Sequence, residues 1–114
     1  MRKDPIIFLE HIRDQITDIR EFTKDVNREE FMADKKTQKA VVKCLETIGE
    51  AIRNLPEEFL QRWQDVPWKN IMAFRNILVH EYFDVDFEYV WKLLGKQLDE
   101  LENQIESIVE QVKV

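Results

Sequence analysis

The sequence predicts an all-α fold, an antiparallel up-and-down bundle of four to five helices, and three observations carry that expectation. Turn formers are scarce, with 2 glycines and 3 prolines in 114 residues, which favours few long elements over many short strands. Apolar residues recur at three- and four-residue steps, the period of one helix face. The amphipathic segments are joined by short links, which makes sequence neighbours pack antiparallel. A hydrophobic content of 44%, with 11% aromatic, is enough to fill one core. The length suits a single domain over residues 1–114, and no internal repeat or low-complexity tract divides it.

The elements follow in order. Asp4 can accept a bond from a free backbone N–H and Pro5 suits a first helical position. From there Leu9, Ile12, Ile16 and Ile19 mark the apolar face of a helix over about residues 5–25. Asn27 to Lys36 reads as a polar connection with one helical turn near 29–33. A second long helix covers about 34–54, with Val41, Val42, Leu45, Ile48, Ile52 and Leu55 in its stripe. Gly49 and Ala51 on it are small enough to admit a neighbouring backbone. Pro56 ends it or opens the next piece, and a short helix over 57–63 precedes the break at Asp65-Val66-Pro67. The third main helix spans about 67–82. Asp84 or Asp86 caps the last, whose seam runs Phe87, Trp91, Leu94, Leu98, Leu101, Ile105, Ile108 and Val112 without a miss. Such a seam packs along another helix, here as part of the bundle core.

Charge and cysteine content narrow the function. A net charge of −6 repels nucleic acid at long range, so RNA contact needs a local basic patch. The strip Lys35, Lys36, Lys39 and Lys43 is either such a patch or a solvated face. Cys44 is single and lies in an apolar stripe, so it is expected buried and reduced. The first residues lack a signal-peptide pattern and no apolar run reaches the ~18 residues of a membrane span. A soluble cytoplasmic protein is expected. His11 sits beside Glu10 and Asp14, but two distant histidines make no metal site by spacing.

The chemistry concentrates in Arg75-Asn76-Ile77-Leu78-Val79-His80-Glu81-Tyr82. On a continuous helix Ile71, Phe74 and Leu78 face the core. Arg75 and Tyr82 are one heptad apart, and Asn76 and His80 one turn apart, so the four polar groups share a broad arc. Arginine offers a fork of donors that fits phosphate oxygens. Histidine gives or takes a proton near neutral pH. Together they form a metal-free kit for RNA cleavage, and a two-fold dimer would supply the second histidine for the second proton transfer. The plain alternative stays open: Arg75 pairs with an acidic neighbour such as Glu50, and His80 only ends a helix. Glu50 itself is either a support for Arg75 or a surface carboxylate. Trp63 and Trp68 flank a loop as core or lid residues, and Tyr89 and Trp91 read as packing.

This octapeptide resembles the Arg-(four residues)-His-any-Tyr signature of HEPN domains of the HepT-like toxin group. Ile48-Gly49-Glu50-Ala51, Pro67-Trp68-Lys69-Asn70-Ile71 and Val85-Asp86-Phe87-Glu88-Tyr89-Val90-Trp91 resemble that family's flanking segments in the same order. The resemblance therefore covers about residues 5–112. It implies a helical homodimer whose motif helices meet at a composite cleft. It also implies a ribonuclease toxin that needs no metal or other cofactor, with RNA as substrate. Arg75 would act on phosphate, His80 as acid or base, and Asn76 as support. The usual partner is a minimal nucleotidyltransferase antitoxin of the MntA type, which transfers AMP to the motif tyrosine, Tyr82 by position. HEPN domains also include non-catalytic members, so a nucleotide-binding or protein-interaction module is the competing function, and a helical dimer without a site is the plainest.

Overall fold

The computed structural model describes residues 4–113, leaving aside the side chains of Tyr82 and Lys113. Among them it contains seven α-helices and no strand: α1 (Pro5–Phe22), α2 (Arg28–Ala33), α3 (Lys35–Arg53), α4 (Glu57–Arg62), α5 (Trp68–His80), α6 (Phe87–Leu93) and α7 (Lys96–Lys113), with a 3-10 turn at Tyr82–Asp84 before α6. The four longest are the expected bundle. α1 lies against both α3 and α7, while α5 packs on the outer side of α3.

Local chemistry accounts for the ends. Asp4 caps α1 by accepting from Ile6 N with Pro5 in the first turn, Asp34 caps α3 through Thr37 N, and Asp86, not Asp84, caps α6. The single turn expected near 29–33 is a complete short helix, because Asn27 and Glu30 form a reciprocal capping box. α1 ends at Phe22, short of the expected residue 25. Thr23 Oγ1 donates back to Ile19 O at 2.8 Å, and Asp25 turns into the left-handed region with φ 60°, which an aspartate tolerates better than most residues.

The last helix differs from the expectation more. Its seam residues are all buried or packed against the core, yet the helix is two pieces. Leu94 N bonds to Trp91 O as well as Val90 O, and Gly95 N bonds to Lys92 O. This tightening to three-residue steps interrupts the helix at Leu94–Gly95. The first piece is then free to clasp α2. Phe31, fully buried, meets Trp91 at 5.2 Å and Phe87 at 6.4 Å between ring centroids, and Arg28 grips the Glu88 carboxylate through Nε and Nη2. The second piece lies on α1, where Arg20 Nη2 donates to Asp99 at 2.6 Å and Glu102 at 2.9 Å.

The Arg28 guanidinium holds the Glu88 carboxyl below its ordinary range. A carboxyl lowered in the folded state stabilises fully above its ordinary value and loses that contribution as pH falls. Acidification below about pH 4.5 should therefore loosen α6 from α2 and shift the fluorescence of Trp91. In Glu88→Gln that acid step should be missing.

Cys44 is buried on α3, and burial pushes its thiol up to about 11. Only the thiolate reacts with disulfide reagents, so native protein at pH 8 should not titrate with Ellman's reagent until denaturant is added. Among the described residues no helix is long and apolar enough to cross a membrane.

Candidate active site

α5 begins where Pro67 pre-sets the backbone and the buried Trp68 anchors it, its indole N–H donating to Trp63 O at 3.0 Å. Leu78 is buried and Ile71, Met72 and Phe74 pack partly against the core, so the arc read from the periodicity is the inner one. Phe74 also meets Tyr89 edge-on at 5.3 Å, which ties α5 to α6.

Arg75 is the most constrained side chain of the motif. Its stem crosses α3 at Gly49, where an added Cβ would lie 2.3 Å from Arg75 Cγ and 2.5 Å from its Cβ. No real carbon contact is that short, so the close approach of α5 to α3 requires a residue without a side chain here. Beyond the stem, Nη2 donates to Glu50 Oε2 at 2.9 Å and Nη1 donates to Asn76 Oδ1 at 3.1 Å. The Arg75 side chain is 17% exposed, whereas Glu50 is half exposed. Arg75 Nε is buried and donates to no acceptor among the described residues. Arg53 Nη1 lies 4.0 Å from the same Glu50 oxygen.

His80 is the last residue of α5 and is exposed. Glu81 N still bonds to Ile77 O at 2.8 Å, but Glu81 itself leaves the helical region at φ −129°, ψ 39°. The motif helix thus stops two residues before the expected end. Tyr82 lies in the 3-10 turn that follows, so it is not one heptad along a continuous helix from Arg75 as the spacing implied. Its side chain is outside the described residues. The structure joins Arg75, Asn76 and Glu50 by hydrogen bonds, and His80 follows one turn after Asn76 on the same helix.

Beside Arg75 the bundle is open. A cleft of about 560 Å³ runs between α5 and α7, with Leu45 and Ile48 at its floor and Phe74, Tyr89 and Leu93 along its wall. Tyr89 lines it and is half exposed; Ile77 on α5 and Phe83 in the turn after it also expose apolar surface. Tyr89, read as packing, is half exposed here. Its place off the seam between Phe87 and Trp91 was the available signal. His11 is remote on α1, in edge contact with Phe8. No three His, Cys, Asp or Glu side chains among the described residues are grouped to hold a metal ion.

A family model described as Ribonuclease HepT-like matches residues 12–108. The chain belongs to the HepT-like ribonuclease family. Curated relatives of this HepT-like chain span nearly its full length. "Putative RNase MJ0127" of Methanocaldococcus jannaschii is 42% identical over 112 residues, 98% of this chain and 93% of the relative. "Putative RNase TTE0752" of Caldanaerobacter subterraneus is 40% identical over 111 residues, 97% of this chain and 99% of the relative. "Probable ribonuclease HepT" of Thermococcus cleftensis is 37% identical over 108 residues, 95% of this chain and 98% of the relative. No solved structure matches the HepT-like chain.

Proposed function

We propose that this protein is a metal-independent ribonuclease and the toxin of a toxin–antitoxin pair. The observation that carries the reading is the Arg75 guanidinium, oriented by Glu50 and Asn76 over the Gly49 notch on the helix that ends in exposed His80, in a chain of the HepT-like family. In the reaction the 2′-oxygen of RNA bonds to the adjacent phosphorus and the P–O5′ bond breaks. A 2′,3′-cyclic phosphate and a 5′-hydroxyl result. One His80 takes the 2′-OH proton and the His80 of a second copy gives a proton to O5′. Arg75 holds the phosphate and stabilises its growing charge, a role that a planar fork of donors fits.

Two copies related by a two-fold axis would supply both histidines. The half-open bundle supports such a homodimer, since its cleft with half-exposed Tyr89 at the wall is apolar surface of the kind partners cover. The antitoxin is a minimal nucleotidyltransferase of the MntA type. It transfers AMP from ATP to the Tyr82 hydroxyl with release of pyrophosphate. The added bulk and negative charge then exclude RNA phosphate.

The test is incubation of a mixed RNA with the wild-type protein in excess chelator. Products ending in 2′,3′-cyclic phosphate are expected. If the protein is inert, with Tyr82 shown unmodified by mass spectrometry, the enzyme reading falls. The non-catalytic binding module then takes its place, with Glu50 as the permanent partner of Arg75.

A further inference from the structure

We propose that the lysine face of α3 is a track for single-stranded RNA, holding its phosphate backbone as it enters the site; the inference rests on the ribonuclease reading. Charge in this acidic chain is segregated. α3 carries Lys35, Lys36, Lys39, Lys43 and Arg53 against Glu46 and Glu50, and α5 adds Lys69 and Arg75 with no carboxylate. α7 carries five carboxylates against two lysines, and α1 meets it through the ion pairs Arg13–Glu106 and Arg20–Asp99. The two helices that build the site are therefore the basic side of the molecule.

Geometry aims that side at the motif. Lys39, Lys43, Glu46 and Glu50 fall within about 60° on the α3 surface, and Glu50 is the residue that Arg75 grips. Lys35, Lys39 and Lys43 follow one another at one-turn steps of about 6 Å. All are exposed, Lys43 by 79% of its side chain. α5 runs back along α3. It starts beyond the C-terminal end of α3, and the chain after it reaches α2, which precedes α3, through the Arg28–Glu88 and Phe31–Phe87 contacts. His80, at the end of α5, is thereby directed toward the lysine half of α3.

Helix stability accounts in part for Lys43, whose Nζ lies 4.0 Å from Glu46 Oε2 one turn on, but not for the lysines at the start of the helix. Lys35 and Lys36 occupy the first turn of α3, where the helix dipole disfavours cations. The N-terminal partial charge adds to theirs and is met by the single Asp34 carboxylate, which leaves a positive surplus that favours a further anion. A single row along one helix serves one backbone, whereas a duplex needs contacts to two strands across a groove. The track is thus for a single strand, held through phosphates and without sequence preference.

The experiment measures binding of a fluorescent single-stranded 2′-O-methyl oligoribonucleotide, which lacks the attacking hydroxyl, by anisotropy across a salt series. Wild type is compared with Lys39→Gln/Lys43→Gln and with Lys96→Gln on α7. The double variant should bind on the order of ten-fold more weakly at low salt, with a log–log salt slope shallower by about 1.4, that is, about 0.7 for each phosphate no longer neutralised. On cleavable RNA its KM should rise with kcat kept. Lys96→Gln should match wild type. An unchanged affinity and slope in the double variant, or no binding by wild type, overturns the track. Binding that depends on the two lysines without cleavage of ordinary RNA overturns the ribonuclease reading and leaves the track standing.

Discussion

His80→Ala is expected to lower RNA cleavage by about 10²- to 10⁴-fold, the usual contribution of a positioned proton-transfer group. The side chain is exposed at the end of α5, so its removal should leave the melting temperature nearly unchanged. That combination separates chemistry from folding. Arg75→Ala should lower cleavage by about 10²- to 10³-fold, as does loss of a donor aimed at developing charge. It should also destabilise the fold, because the stem packs into the Gly49 notch and Glu50 loses its hydrogen bond across to α5. Arg75→Lys should rescue little, since a single ammonium cannot serve Glu50, Asn76 and a phosphate at once. The measurement is single-turnover cleavage with thermal denaturation of each variant. Full activity in His80→Ala would remove the proton-transfer role.

Gly49→Ala is the second large effect, and it acts without touching substrate. The new Cβ would sit 2.3–2.5 Å from the Arg75 stem, and the Arg75 Cβ belongs to a helix that cannot yield alone. α5 must move outward from α3. Overpacking of this kind costs about 1–3 kcal/mol, offset by about 1 kcal/mol from the better helix propensity of alanine. The net change in stability is therefore modest. The effect on cleavage is larger, because a displacement on the order of 1 Å at a catalytic group can cost about 10²-fold. In an Arg75→Ala background the 2.5 Å approach to the Cβ remains, so Gly49→Ala should still displace α5, with His80 on it, and lower cleavage further, by less than it does in wild type. Unchanged cleavage by Gly49→Ala in the wild-type background would show that the notch does not position α5.

The bundle was legible because its signals are local. The steps Leu9–Ile12–Ile16–Ile19 and Leu98–Leu101–Ile105–Ile108 state which face is inward, and all eight residues are buried. The interruption at Leu94–Gly95 was not legible, because an unbroken seam continues through it. What accompanies the interruption is tertiary, with Phe87 and Trp91 on Phe31 while Leu98 joins the main core. The early end of α5 is similar. Glu81 and Tyr82 carry no stop signal of the glycine or proline kind, and the turn is made by the short path from His80 to the Asp86 cap. At the site, the small size of Gly49 could be read, but that it faces Arg75 could not. The partner of a notch is on another helix, and only the fold says which one.

The open side of the bundle divides the molecule into two tiers. α3 and α7 both pack on α1, while α5 rests mainly on α3 and on the turn that follows it. Amide hydrogens on α5 should therefore exchange through partial openings that leave the α1–α3–α7 tier intact. The motif thus rides on the layer that opens first. Any molecule that covers α5, whether a second copy or an inhibitor, must slow that exchange as it binds. Protection of the Trp68–His80 amides is then a direct reporter of whether the site is covered.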